Sequence, residues 1–210
     1  MTRILLVDDY PVTREGLKEV LQSSFRDVIF GEAESGAEAV RKGTCEKWDV
    51  VVLDVSLPDR NGLEVLKELR KATPGVPILI LSMYPEEQYA IRALRAGAAG
   101  YVTKKTAAAD LVAAVKKVLG GGRFVSPSLA ETLADETGRN RDLTPHRRLS
   151  DREFQVFRLL ALGKTVKAIS GELSLSPQTI STHRSRILEK MQLATNADLT
   201  QYALANRLID

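Results

Sequence analysis

The chain has 210 residues, 44% of them hydrophobic, 27% charged and 5% aromatic, which is enough aliphatic material for two ordered domains and excludes a disordered or fibrous chain. Its single cysteine, Cys45, excludes an internal disulfide framework and any multi-cysteine zinc site. The formal net charge is +3, and the whole excess falls after residue 120; so mild a surplus does not by itself define a nucleic-acid partner, but it says where to look for one.

The apolar run at residues 4–7 is followed at once by Asp8 and Asp9, so no signal peptide is expected there. Nothing else approaches the roughly 20 apolar residues of a membrane span. The expectation is a soluble, cytoplasmic protein with no membrane partner.

Up to residue 120 short aliphatic runs at 4–7, 28–30, 50–53, 78–81 and 99–102 alternate with amphipathic stretches of helical period. Runs without polar alternation are buried on both faces, as in a parallel sheet covered by helices on each side. This predicts an α/β domain over residues 1–120, a doubly wound sheet of five parallel strands. The triplet Gly120-Gly121-Gly122 ends its last helix. Residues 121–148 then read as a linker carrying a short helix to Glu136.

From Leu149 to residue 210 every segment reads as helix. Ser150 with Glu153 three residues on forms a capping box, and Gly163 closes that helix. A second helix runs from Thr165 to Leu173, and a third opens at Ser176 with Pro177 in its first position. A fourth spans Asn196 to Asn206. Four short helices make a small all-α bundle suited to presenting a surface rather than enclosing a substrate.

In a parallel sheet the carboxyl ends of the strands meet at one edge, where ligands bind. That edge is polar here: Asp8 and Asp9 follow the first run, Asp54 the third, Ser82 the fourth and Lys104 the fifth. Carboxylates about 4 Å apart repel by roughly 4 kcal/mol per pair at an effective dielectric near 20, so a cation must neutralise them. Oxygen donors without a nearby histidine favour Mg²⁺ over zinc. Asp9, which precedes Pro11, is also a candidate helix cap.

The segments Ile4-Leu5-Leu6-Val7-Asp8-Asp9, Val52-Leu53-Asp54-Val55-Ser56-Leu57-Pro58, Leu81-Ser82 and Gly100-Tyr101-Val102-Thr103-Lys104 resemble the flavodoxin-like receiver domain of bacterial two-component response regulators. The resemblance implies a phosphoacceptor at Asp54, supplied by the phosphohistidine of a sensor histidine kinase. It implies Mg²⁺ held by Asp8, Asp9, Asp54 and the backbone carbonyl of Ser56, with Lys104 and Ser82 on the phosphoryl oxygens and Ser82 and Tyr101 as the switch. Position 105 is a second lysine, so Lys104 and Lys105 compete for the site, and spacing favours Lys104. A carboxylate is an adequate nucleophile once metal and lysine cancel its charge. The product is a labile acyl phosphate, so its purpose is a signal rather than turnover. The rival reading, a metal-dependent phosphohydrolase, lacks a general acid two residues past Asp54, where Ser56 stands.

In the C-terminal part Ile169, Leu173, Leu175, Ile180 and His183 recur with helix-turn-helix spacing, the histidine apart. Together with Leu149-Ser150-Asp151-Arg152-Glu153, Leu162-Gly163-Lys164-Thr165, Thr179-Ile180, Ile187 and Lys190, they resemble the LuxR-type DNA-binding domain. Receiver plus this domain is the architecture of the NarL/FixJ family. The third helix turns Ile180, His183, Ile187 and Met191 inward and Gln178, Thr179, Ser181, Thr182, Ser185 and Arg186 outward, toward a major groove. Lys164, Thr165, Lys167 and either Arg184 or Lys190 are the expected phosphate contacts. Ser170, at the helix crossing, is expected to bond the carbonyl of Val166. Leu199, Tyr202 and Leu204 of the last helix suggest a homodimer contact matching a two-fold DNA operator.

Overall fold

The computed structural model describes residues 1–127, 129–131 and 144–209, which belong to two units, Met1–Glu136 and Thr137–Asp210. In the first, the five aliphatic runs become β1 (Thr2–Val7), β2 (Val28–Ala33), β3 (Val50–Asp54), β4 (Ile78–Ser82) and β5 (Gly100–Thr103). They lie in the order β2-β1-β3-β4-β5, every neighbouring pair parallel. Every residue of β3 and β4 is buried, which is why neither strand alternates in sequence. Helices α1 (Pro11–Gln22), α2 (Gly36–Cys45), α3 (Gly62–Ala72), α4 (Glu86–Arg95) and α5 (Ala107–Leu119) connect them. The strand order reverses between β1 and β3, and a crevice at their carboxyl ends follows from that topology.

β3 and β4 each extend one residue beyond their aliphatic run, so Asp54 and Ser82 close the strands rather than follow them. The loop after β3 is folded back on itself. Ser56 and Asn61 pair as an isolated antiparallel bridge, the Gly62 amide donates to the Val55 carbonyl at 2.8 Å, and the Asn61 side chain caps α3 at the Leu63 amide, also at 2.8 Å. Gly62 has no room for a side chain, because a Cβ there would lie 2.1 Å from the Asp54 carbonyl oxygen and 2.8 Å from the Val55 Cα. Asp9 does not cap α1; the cap position is Tyr10, without a side-chain bond.

The residues after α5 return to the sheet instead of leaving it. Phe124 pairs with Gly100 in an isolated parallel bridge and packs against the core beneath β4 and β5. Ser126 donates to the Glu86 carboxylate at the first turn of α4, and Leu129 is buried. The first unit therefore continues past residue 120. Pro127 and residues 129–131 are helical; the rest of the expected short helix to Glu136 lies outside the described residues.

The second unit holds a 3-10 turn (Pro145–Arg148) and helices α6 (Asp151–Ala161), α7 (Val166–Glu172), α8 (Pro177–Met191) and α9 (Asn196–Ala205). The Ser150/Glu153 capping box forms, and a second one, Thr195/Asp198, opens α9. Two expectations are corrected. Ser170 bonds the carbonyl of Leu175, not Val166, because the turn after α7 brings that carbonyl over its hydroxyl. Leu199 offers no surface to a second copy: it is fully buried with Ala203, one helical turn apart on α9, which packs on α6, while Leu204 is 52% exposed. No helix among the described residues is long and apolar enough to cross a membrane.

The fit of α3 against β3 gives a prediction. Gly62→Ala forces backbone apart beside Asp54 and lowers the unfolding free energy by about 1–3 kcal/mol, the usual range for overpacking; urea unfolding measures it, and an unchanged midpoint would show that the contact yields freely.

Candidate functional site

Four side chains converge at the carboxyl edge of the sheet. Asp8 and Asp9 lie just beyond β1, Asp54 ends β3, and carboxylate oxygens of all three lie within 4.8 Å of one another. Asp8 and Asp54 are 1% and 3% exposed, so solvent does little to screen them. At that spacing each pair repels by roughly 3 kcal/mol at an effective dielectric of 20. Lys104, brought in from the end of β5 by the bond from its amide to the Ser82 carbonyl at 2.7 Å, donates to Asp54 Oδ2 at 2.6 Å. Its Nζ also lies 2.6 Å from Asp8 Oδ2. Lys105 is exposed, so of the two adjacent lysines it is Lys104 that enters the pocket.

Burial pushes the Asp54 carboxyl up to about 6 despite the opposing charge of Lys104. Asp9 is also raised, by burial and by Asp8 beside it. Burial alone would lower the Lys104 ammonium, but Asp54 and Asp8 outweigh it and raise it. A single ammonium leaves the three carboxylates with two uncancelled negative charges when all are ionised. Asp9 Oδ1 is buried with no hydrogen-bond donor among the described residues, and Asp8 Oδ2 has the Lys104 ammonium beside it at 2.6 Å. An orphaned oxygen on Asp9, an all-oxygen donor set and a deficit of two charges suit a hard divalent cation. Ser56 sits beside them, its amide donating to Asp54 Oδ1 at 3.2 Å.

Ser82 is fully buried, and its hydroxyl oxygen accepts from the Tyr84 amide at 3.2 Å. Tyr101 is also fully buried, and its hydroxyl donates to the Tyr84 carbonyl at 2.7 Å. Both expected switch residues thus hold one loop residue, whose ring stacks on Tyr89 of α4 with centroids 4.6 Å apart. Arg14 was not foreseen. It is 4% exposed and donates to the Asp8 carbonyl at 2.6 Å, yet in sequence it is one charge among several on an amphipathic helix.

In the second unit Ile180, Ile187 and Met191 of α8 are buried. His183 is half-buried, with no partner for Nδ1 among the described residues and its pKa pushed down by burial. Gln178, Ser181, Thr182, Ser185 and Arg186 are exposed and Thr179 is half-buried. Ser181 and Thr182 each donate to a carbonyl four residues back at 3.0 Å, and Ser185 does so at 3.2 Å. Thr165 caps α7 at the Ala168 amide, and Lys167 is exposed. The remaining basic candidates are engaged: Lys164 with Glu172 at 2.5 Å and Arg184 with the Asn196 side chain at 2.7 Å. Lys190 bonds both oxygens of Glu153, at 2.9 and 2.7 Å, because Glu153 is buried and needs a counter-charge. The Tyr202 hydroxyl meets His146 Nδ1 at 2.8 Å.

Comparison with known proteins agrees with both halves. Residues 4–116 match the family "Response regulator receiver domain", and residues 147–203 match "Bacterial regulatory proteins, luxR family". The chain is a two-component response regulator of the NarL/FixJ family. Response regulator GacA of Pseudomonas viridiflava is 34% identical to it, covering 100% of this chain and 99% of that protein. Response regulator UvrY of Escherichia coli K12 is 32% identical, covering 99% and 96%. Among solved structures, RcsB of Salmonella enterica serovar Typhimurium, bound to promoter P1flhDC in the presence of the phosphomimetic BeF₃⁻, shares 25% identity. It aligns with a TM-score of 0.65 over 97% of this chain and 98% of its own.

The response regulator's pocket predicts a pH dependence. Because the folded pKa of Asp54 is raised, the folded chain holds this proton more tightly than the unfolded one. Its contribution to stability is complete below pH 3.8 and declines as pH rises to about 6, by about 3 kcal/mol at 1.36 kcal/mol per unit. In buffer free of divalent cations, the stability gain of Asp54→Asn over wild type therefore grows from pH 4 to pH 6.5 in urea unfolding. A difference independent of pH would contradict the strained carboxylate.

Proposed function

We propose that this response regulator is a DNA-binding transcription factor switched by phosphorylation of Asp54 in a Mg²⁺-dependent step. The observation that carries the reading is the position of Asp54: a buried carboxylate in hydrogen-bond contact with Lys104 and grouped with Asp8 and Asp9. An oxygen of Asp54 attacks the phosphorus of a sensor kinase's phosphohistidine. The new O–P bond forms as the P–N bond breaks, and the electron pair leaves with the imidazole, which takes up a proton. Asp8, Asp9, Asp54 and the Ser56 carbonyl would hold Mg²⁺, which supplies charge neutralisation at the transferring group.

Lys104 neutralises Asp54 beforehand and moves from Asp54 Oδ2 to a phosphoryl oxygen afterward. Ser82 donates its hydroxyl proton to another phosphoryl oxygen, its oxygen accepting from the Tyr84 amide at rest. Moving Ser82 releases the Tyr84 amide, and Tyr101 holds the Tyr84 carbonyl, so the change reaches the β4–α4 loop and the face of α4 and β5. The chain accepts and loses one phosphoryl group and is not a turnover enzyme.

Residues 1–120 hold the receiver's strands and helices, 121–148 begin by packing Phe124 on the same core before joining the next unit, and 149–210 bind DNA. In the last of these, Gln178, Thr179, Ser181, Thr182, Ser185 and Arg186 face the major groove. Thr165 and Lys167 at the start of α7 meet phosphate, and Lys164 and Arg184 join them if DNA displaces their present partners. Serine at position 181 keeps the basic contacts few, which gives a shallow salt dependence. Phosphorylation favours a homodimer on a two-fold operator; the RcsB structure bound to a promoter in the presence of a phosphomimetic supports the link between the phosphorylated state and DNA binding. The dimer contact would use Leu204 and the rim of α9 near Tyr202.

The test is DNA affinity. Duplexes selected from a random library by the wild-type chain should bind at least tenfold more tightly once a small phosphodonor and Mg²⁺ are added. Asp54→Asn should bind at the unphosphorylated level throughout. Equal affinity in all conditions would refute control by Asp54.

A further inference from the structure

Arg14 is an arginine in the second turn of α1 that is almost wholly buried, at 4% exposure, a placement seldom seen without a specific set of partners. All three nitrogens of its guanidinium are used. Nε donates to Glu32 Oε2 at 2.7 Å, Nη2 to Glu34 Oε1 at 2.6 Å, and Nη1 to the main-chain carbonyl of Asp8 at 2.6 Å. Glu32 lies at the end of β2, and its other oxygen is held by Lys18 at 2.5 Å. The two glutamates thus set the plane of the guanidinium, and the guanidinium sets the carbonyl.

That carbonyl belongs to the peptide joining Asp8 to Asp9. The Asp8 amide on its other side donates to the Ala33 carbonyl at 3.1 Å, and Asp8 Oδ1 accepts from the Tyr10 amide at 2.9 Å. With both flanking peptides fixed, the directions in which the Asp8 and Asp9 side chains leave the backbone are fixed too. Arg14 also sets a positive charge behind two adjacent carboxylates, easing the repulsion that would turn them apart.

We propose that Arg14, aimed by Glu32 and Glu34, is a positioning residue that holds the Asp8–Asp9 peptide so that both carboxylates face one divalent cation. The proposal rests on the metal-dependent reading above. It distinguishes Arg14 from a plain clamp between α1 and β2: a clamp affects stability alone, whereas a positioning residue sets the affinity for the cation. Outer residues of this kind typically change metal affinity by roughly 10–100-fold.

The experiment is calorimetric titration of Mg²⁺ into the full chain, paired with urea unfolding and with the Mg²⁺ dependence of phosphorylation by a small phosphodonor. Arg14→Met should raise the Mg²⁺ dissociation constant about tenfold or more. Arg14→Lys, which keeps the charge but not the three-armed fork, should recover part of that loss. Glu34→Gln alters a side chain that is 64% exposed, which spares the fold, and should weaken Mg²⁺ by a smaller factor. In each variant the half-saturating Mg²⁺ concentration for phosphorylation rises while the rate at saturating Mg²⁺ stays within about twofold of wild type. Wild-type Mg²⁺ affinity in Arg14→Lys and Glu34→Gln, with only the unfolding midpoint lowered, would overturn the proposal and leave the metal-dependent reading standing. A wild-type chain that binds no Mg²⁺ would overturn both.

Discussion

The structure turns on the contact between Lys104 and the carboxylates of Asp54 and Asp8. Three buried or half-buried acids at one edge of a sheet are unfavourable unless cations accompany them, and the fold supplies one, Lys104, from the end of β5. Every feature around the pocket serves that balance. β3 ends on Asp54 so that its carboxyl opens into the crevice, Gly62 lets α3 close against the same strand, and the Lys104 amide is tied to the end of β4. The remaining negative charge suits a hard divalent cation. The site is poised because it is not neutral.

The same logic appears in the second unit with a different outcome. Glu153 both caps α6 and binds Lys190, and buried Arg152 and Arg158 bond the carbonyls of Leu173 and Leu208. These charges are spent inside the bundle. Of the outward residues Gln178, Thr179, Ser181, Thr182, Ser185 and Arg186 of α8, Arg186 alone is charged and the others carry hydroxyl or amide groups. A surface of that kind reads base edges through short-range hydrogen bonds more than through long-range attraction.

Most of the first unit was legible because an unbroken aliphatic run has few alternatives to a buried parallel strand, and because Asp8, Asp9, Asp54, Ser82 and Lys104 each follow such a run. Periodicity could not show which residues bridge distant segments. Arg14 lies on a helix face where arginines are usually solvated, and only the return of β2 beside β1 turns it inward. Phe124 and Leu129 stand among glycines and polar residues and read as linker, although Phe124 packs on the core of the sheet and Leu129 is buried. Leu199 reads as surface on its own helix because its partner, α6, comes from elsewhere in the chain, and the ion pair of Lys190 with Glu153 was illegible for the same reason.

The central claim is that Asp54 accepts a phosphoryl group in a pocket that needs both its lysine and a divalent cation. Intact mass after incubation with a small phosphodonor and Mg²⁺ tests this most directly, with a chelator, Asp54→Asn and Lys104→Met as comparisons. The account predicts one phosphoryl adduct on the wild-type chain, absent with the chelator and in Asp54→Asn and strongly reduced in Lys104→Met. No adduct under conditions that modify a known receiver, or an adduct that survives Asp54→Asn, would contradict it.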